Sequence, residues 1–513
     1  MHEEIDIVWF KRDLRVTDHA PLAAAARGGR PVLPLYVIEP ELWRQPDCSG
    51  RHVLFLHGCL RELRGALAEL GAPLVVRVGE VCTVLGRISR QYRIRSLYSH
   101  QETGSDWTYQ RDRAVRRWCH TQGVAWREFA QQAVFRADRN RDRWAARREA
   151  FVGAGIVPSP PALRPTRLEP GSLPTVDDWL AMATHAERGN ALQPGGRASG
   201  ERLLQGFLDS RCTGYRRRMS APGPAVNGCS RLSPYLAWGC LSIREVVQAT
   251  RRRQAEAPAD SPVGRGLAAF ESRLAWHCHF IQKLESEPRI EFENMHSALD
   301  GLREPEFDSR RFEAWASGET GWPLVDACMR SLTATGWLNF RMRAMLVSVA
   351  AYGLWLHWRM PALHLARLFT DYEPGIHYCQ MQMQSGTTGI NALRVYDPVG
   401  QSRKLDPRGT FIRQWLPELR GVPDAWIHEP WRMPDAMSIR CGLRLDEDYP
   451  RPLVDVGSAS RAARARVAQA LATEDAREES RQIHARHGSR LKKSRRTRPA
   501  GTPRDERQLS LFP

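Results

Sequence analysis

Eleven cysteines run from Cys48 to Cys441 without a CxxC pair, and the closest spacing is eleven residues, found twice (Cys48 to Cys59, Cys229 to Cys240). That spacing argues against a disulfide framework, a zinc ribbon or a compact iron–sulfur motif, and it suits a reducing cytoplasm. The one dense group of metal-ligating types is Trp276-His277-Cys278-His279. On a helix these consecutive residues point in different directions and cannot all reach one ion, so no metal site is expected. Ser230 and Ser233 flank a helix start, where unpaired N–H groups and hydroxyls either suit a pyrophosphate or simply cap the helix. Near the C-terminus, Lys492-Lys493-Ser494-Arg495-Arg496-Thr497-Arg498 is dense enough to contact phosphates.

Those residues need a scaffold. Ile5 to Phe10 and Pro31 to Ile38 read as buried strands, with Leu74 to Val78, Ser96 to Tyr98 and Val124 to Phe129 as three more. Between them lie helical patterns at Ala20 to Arg27, His52 to Leu70 and Arg111 to Thr121. Such alternation predicts a doubly wound, five-stranded parallel sheet in an α/β domain, residues 1–130. No GxGxxG or GxxxxGKS/T loop follows any strand, which disfavours a Rossmann dehydrogenase or a P-loop enzyme. Six prolines between Gly153 and Pro174 mark a connector, placed at 131–195. Long helical patterns rich in Trp, Leu, Met and Arg then fill 196–457, the clearest being Val325 to Leu332, Phe340 to Leu356 and Ala362 to Phe369. A helical extension, 458–480, gives way to a basic tail, 481–513, expected to be disordered.

Composition narrows the class. The 75 Lys and Arg against 57 Asp and Glu leave a formal charge of +18, which suits a polyanionic partner. The longest nearly uninterrupted apolar stretch, Ala344 to Leu356, has 13 residues and is too short to span a bilayer. Asp6, Lys11, Arg12 and Asp13 break any signal-peptide pattern. A cytoplasmic monomer without a membrane partner is the expectation.

Trp9-Phe10-Lys11-Arg12-Asp13-Leu14-Arg15, with Asp18 three residues on, closes the first strand. This run resembles the N-terminal signature of the photolyase/cryptochrome flavoproteins. Asn227 to Leu236 (NGCSRLSPYL) resembles that family's flavin-phosphate loop, and Gly318 to Ala327 (GETGWPLVDA) its most recognisable helical segment. Thr335-Gly336-Trp337 with Arg341 and Arg343, Trp358-Arg359, and Phe411 to Leu419 follow in the family's order. The resemblance runs from residue 5 to about 420 and implies a large all-α FAD-binding domain behind the α/β domain.

Residue by residue, the resemblance implies FAD phosphates near Tyr215, Ser230, Leu232 and Ser233, with Cys229 standing where most members have Thr. Asp371 and Glu373 match an Asp-x-Asp pair near the flavin and its ribose. Arg343 matches the arginine paired with that acidic group, and Trp337 lines the same pocket. Either Gly375 or His377 faces the reactive flavin nitrogen. A nearby guanidinium favours an anionic reduced flavin.

Other positions depart from the family. Trp276 matches the tryptophan that stacks on substrate, but Arg273 stands where pyrimidine-dimer photolyases have a glutamate. Phe340 replaces an asparagine, and Asn339 stands at the position of a common histidine. An apolar platform of Trp276, Phe340 and Met383 remains, adequate for stacking a base. Trp358 matches the middle tryptophan of the family's electron-supply chain, whereas the flavin-proximal one falls on Cys379 or Met381. Tyr378, Trp355 and Tyr372 are candidate replacements. Trp276 and Trp358 are thus the catalytic candidates, and Arg273, Arg341 and Arg413 the basic groups expected around the pocket mouth.

The resemblance implies a FAD-dependent, blue-light-driven DNA repair lyase acting on pyrimidine photolesions in single- or double-stranded DNA. The alternative is a cryptochrome-type photoreceptor, and a light-independent flavin redox protein is the third reading. A second, antenna chromophore belongs to this picture, its general region marked by Glu102 with Arg111-Asp112. The terminal Gln508-Leu509-Ser510-Leu511-Phe512 resembles the peptide by which bacterial polymerases and repair proteins dock into the sliding clamp.

Overall fold

The computed structural model describes residues 2–138 and 141–488. Its N-terminal part is a five-stranded, all-parallel sheet in the order β3-β2-β1-β4-β5. The strands are β1 (Glu4–Phe10), β2 (Val32–Ile38), β3 (Val75–Val78), β4 (Arg93–His100) and β5 (Ala125–Phe129). Alternate residues of β1 serve two cores. Val8 and Phe10 pack with Leu56 and Leu60, while Ile7 and Trp9 pack with Val84, Leu85 and Val115 on the other face. Helices α1 (Ala20–Arg27), α2 (Gly50–Glu69), α3 (Val81–Ser89) and α4 (Asp106–Gln122) supply those covers, which is why the strands read as continuous apolar runs. β4 is longer than its apolar centre suggests, because Arg93 and Ile94 pair with Glu4 and Ile5 of β1.

The proline-rich part of the connector carries no helix, but it is not a loose tether. Pro165 bridges Val32 of the sheet, and Trp179 is fully buried edge-on against Trp43, with ring centroids 5.2 Å apart.

The helical part is built around α5 (Arg197–Asp209), α6 (Ser233–Ala237), α7 (Pro262–Ser286), α8 (Pro323–Thr335), α9 (Phe340–Ser348), α10 (Arg359–Leu368) and α11 (Pro374–Ser385). The helix expected from Phe340 to Leu356 is shorter. After Ser348 the chain widens into a π turn, Val349–Gly353, and Trp355 takes a positive φ of 57°. Ser348 explains the break, since its hydroxyl donates to the Arg394 carbonyl and accepts the Tyr396 N–H. A second correction concerns the tail. Helices α12 (Val456–Ala470) and α13 (Glu474–His487) run past Arg481, because buried Glu287 takes hydrogen bonds from both Arg486 and His487. The basic run from Lys492 and the terminal Gln508, Leu509, Leu511 and Phe512 lie outside the described residues. Among the described residues no helix is long and apolar enough to cross a membrane.

The two parts are joined by the charged turn after β1. Arg12 Nε donates to Ala237 O at 3.0 Å, and its terminal nitrogen to Tyr372 O at 2.5 Å. Arg15 reaches Gly239 O at 2.9 Å. Gly239, at φ +67°, must be glycine, because a Cβ there would lie 2.2 Å from the Arg12 carbonyl. From α2, His52 contacts Phe369 O at 3.0 Å, and Ser49, the residue before that helix, donates to Arg367 O at 2.7 Å.

Candidate functional site

The loop between Gly228 and α6 turns at Arg231, which adopts φ +62°. Among the described residues, the N–H groups of Ser230, Arg231 and Leu232 donate to no protein acceptor. Arg231 lies 4.0 Å above the Trp337 ring, and its Nε donates to the Gln193 amide at 2.9 Å. No carboxylate pairs with it among the described residues, and burial lowers its pKa to about 10. A mostly buried guanidinium beside free backbone donors and the Ser230 and Ser233 hydroxyls is an anion-binding arrangement. Leu232 is buried under it.

Arg343, one turn into α9, grips Asp371 with both terminal nitrogens at 3.0 and 2.8 Å, and its Nε donates to Leu338 O at 2.6 Å. Its guanidinium also covers Phe369, 4.0 Å away. The turn between α10 and α11 thus presents a neutralised ion pair, held by an arginine locked at every nitrogen. Glu373 faces elsewhere. It lines the cleft against the α/β domain, 3.7 Å from Arg12, and burial lifts its pKa to about 7 against that cation. His377 donates from Nε2 to Ala362 O at 2.9 Å, and burial lowers its pKa to about 4, leaving it neutral with Nδ1 as an acceptor. The Arg343 and Asp371 charges both reach it. At Gly375, by contrast, a Cβ would meet the Ile281 backbone at 2.6 Å, so α7 fills that direction.

A second group lies on α7. Arg273 stacks 4.0 Å over Trp276, one turn away, and Phe340 meets Trp276 edge-on at 6.4 Å. Tyr215 packs on Phe270 from the same helix, and its phenol interacts with Arg273; burial raises the phenol's pKa while Arg273 opposes that shift. Phe340 is 42% exposed and Trp276 only 7%, so the pair forms a rim and a floor. Asn339 takes no substrate-facing role here, since its amide donates to the carbonyls of Met219 and Ser220 at 3.0 Å each. Arg341, half-buried beside Phe340, has no carboxylate partner among the described residues. Met383 is buried in the same apolar cluster as Trp276. Arg413 stands apart in its bonding, donating to Val422 O at 2.6 Å and Asp424 at 2.8 Å. Trp358 is buried and donates to Asn294 at 2.8 Å.

Two buried clusters join residues the sequence reading had marked to others it had not. Asp13 is buried between His19 and His100, at 3.0 and 2.7 Å. Three potential ligands converge there, yet His19 Nδ1 accepts the Leu22 N–H, so its Nε2 carries the proton and donates to Asp13. The trio is a closed hydrogen-bond set: burial penalises the Asp13 anion, but the two histidines hold its pKa well below the usual range. Lys11, Glu39, Glu102, Arg111 and Asp112 form an ion network at the end of the sheet, with Arg111 4.9 Å over Trp9. Lys11, Asp13, Glu102, Arg111 and Asp112 stand at positions the family resemblance marks, whereas no local pattern shows that His19, Glu39 and His100 join them.

Known proteins resemble this chain in both of its parts. The model for "DNA photolyase" matches residues 6–145, and the model for "FAD binding domain of DNA photolyase" matches 270–469. A deoxyribodipyrimidine photo-lyase of Salmonella typhimurium is 31% identical over 475 residues, covering 88% of this chain and 95% of that protein. Cryptochrome DASH of Natronomonas pharaonis is 28% identical over 477 residues, 88% of this chain and 98% of the relative. The structure of a bacterial class III photolyase from Agrobacterium tumefaciens superposes with a TM-score of 0.80 at 25% identity, over 92% of this chain and 99% of the other. The chain belongs to the photolyase/cryptochrome family, and it carries that family's FAD-binding domain.

The residues present fit FAD. Arg231 and the free N–H groups at Ser230 to Leu232 supply anion donors, and the Arg343–Asp371 pair supplies a fixed, charge-balanced surface beside neutral His377.

Proposed function

We propose that the protein repairs pyrimidine photolesions in DNA under blue light. The supporting observation is the cluster of Arg273 stacked over Trp276 with Phe340 edge-on to it, a base-sized apolar platform with a cation beside it, in the FAD-binding domain. Bound FAD supplies light absorption and one-electron transfer. Ser230, Arg231, Leu232 and Ser233 hold its phosphates beside Tyr215, and Trp337 closes the pocket. The Arg343–Asp371 pair would line the flavin site, whereas Glu373, held by Arg12 in the cleft against the α/β domain, would stand apart from the ribose position the resemblance implies. His377 rather than Gly375 would serve the reactive-nitrogen position, because α7 packs against Gly375. Trp276 and Phe340 stack the flipped bases over Met383, and Arg273 and Arg341 meet DNA phosphates at the rim, whereas Arg413 is held by Asp424. An antenna chromophore sits near Glu102. The C-terminal Gln508, Leu509, Leu511 and Phe512 dock the protein on a bacterial sliding clamp, and deleting the last six residues abolishes binding to purified clamp.

The test is direct: purified, reduced protein with thymine-dimer DNA removes dimers under blue light and not in darkness. The photoreceptor reading draws on one specific observation, that a cation replaces the acid expected to bond the flipped bases. It predicts light-driven flavin changes with every dimer left intact.

A further inference from the structure

Cys59 and Cys240 stand 181 residues apart in sequence, yet their Sγ atoms lie 3.4 Å apart. Cys59 is in the middle of α2, and Cys240 follows α6, so the contact crosses between the α/β part and the helical part. Both residues are at most 1% exposed and belong to one apolar cluster. Among the described residues, no other two cysteines bond sulfur to sulfur. A disulfide requires about 2.0 Å between its sulfurs, and small rotations about the two Cα–Cβ bonds close a gap of this size.

The backbone on both sides of the contact is tightly held. A Cβ on Gly195 would lie 1.8 Å from the Phe55 carbonyl oxygen and 3.1 Å from Cys59 Sγ, so only glycine lets the segment before α5 run along α2 here. Glu62 of α2 accepts the Ala198 N–H at 3.0 Å, which ties the first turn of α5 to α2. Arg197, on that same turn, donates to Cys240 O at 3.0 Å and pairs with Glu245. The Gly196 N–H favours a thiolate at Cys59, whereas burial pushes that thiol well above its ordinary value. The pair is therefore slow to react, and a bridge formed there is equally shielded from bulky thiol reductants.

We propose that Cys59 and Cys240 are a redox latch, a dithiol that hydrogen peroxide converts to a disulfide tying the α/β domain covalently to the FAD-binding domain. The Cys59 thiolate attacks one peroxide oxygen, the O–O bond breaks, and the departing hydroxide takes up the proton that Cys59 released, giving water and a sulfenic acid. The Cys240 sulfur then attacks the Cys59 sulfur. The S–O bond breaks, and the hydroxide leaves with the Cys240 proton as a second water. In all, two thiols lose two electrons and two protons, and one hydrogen peroxide becomes two waters. Hydrogen peroxide is close to water in size and reaches sulfurs that glutathione cannot. The bridge closes the 181-residue separation, which restricts the unfolded chain while leaving the native contacts in place. The latch does not depend on the repair reading.

The experiment treats the full, flavin-loaded chain with hydrogen peroxide in darkness, blocks the remaining thiols with N-ethylmaleimide in denaturant, and maps linked peptides by mass spectrometry without reduction. The wild type loses two of its eleven thiols and yields a linked pair of Cys59 and Cys240 peptides. Its thermal midpoint rises by several degrees. Reduced glutathione opens the bridge in urea but leaves it intact in the folded chain. Cys59→Ala and Cys240→Ala each abolish the linked peptide and the rise, with circular dichroism as the check on folding; the wild-type map stands without them. A peroxide-treated wild type that keeps both thiols, stops at a sulfenic or sulfinic acid, or links other cysteines overturns the latch. So does a bridge that leaves the thermal midpoint unchanged, or one that glutathione opens as fast in the folded chain as in urea.

Discussion

Arg343 carries the heaviest single burden among the site residues, because Asp371 beneath it is buried and has both oxygens committed to that guanidinium. Replacing Arg343 with alanine leaves an uncompensated carboxylate and costs about 3 kcal/mol, read as a lower denaturation midpoint and loss of flavin absorbance on purification. Arg273→Glu restores an acid one turn before Trp276, and the account predicts faster dimer removal than in the wild type, measured in single turnovers. Glu373 yields a pH prediction. Burial raises its native pKa to about 7, above the ordinary glutamate value of 4.5. Between those values the unfolded chain has lost the proton that the native chain still holds, so stability falls as pH rises and levels off above about 7, by at most about 3 kcal/mol. Glu373→Gln flattens that slope in urea titrations. Arg273, Trp276 and Phe340 were legible as candidates because each stands at a position the family motifs mark. The Cys59–Cys240 contact was not, since it spans 181 residues of sequence and no local pattern signals such a meeting.

Elements position these groups through their ends. The segment before α8 is organised by Asp326, which accepts from the Thr320 N–H and hydroxyl, the Gly321 N–H and the Tyr449 hydroxyl. Burial nevertheless raises its pKa to about 6. Asp326→Ala orphans these donors and costs about 3 kcal/mol, checked by chemical denaturation. The strands and the amphipathic helices of the α/β domain were legible, because apolar runs and three- and four-residue steps are local properties. The end of α9 was not. Ser348 stops that helix through bonds to Arg394 and Tyr396, and a sequence window sees only a continuing apolar run. The end of α13 was hidden for a related reason, as its last turn is held by Glu287 on a distant segment.

Over the whole molecule, the +18 charge divides unevenly. Residues 481–513 hold ten Lys and Arg and two acids, a net +8, and leave +10 on the preceding 480 residues. Much of the body's arginine is spent on structural ion pairs such as Arg111 with Glu102 and Arg413 with Asp424. Phosphate contacts therefore fall to a few groups near the platform. With about five such contacts, raising salt from about 50 to about 200 mM weakens single-stranded DNA binding by roughly a hundredfold, measured by fluorescence anisotropy. The arrangement as a whole, an α/β domain clamped on a FAD-binding domain with a stacking platform beside its pocket, makes one central claim: light absorbed by the flavin is spent on a lesion. The most direct measurement illuminates the reduced protein with dimer-bearing single- and double-stranded DNA while recording the flavin spectrum. The account predicts light-dependent loss of dimers with the flavin returned to its starting state. Dimers left intact in both forms of DNA, under light and with the flavin reduced, would contradict it.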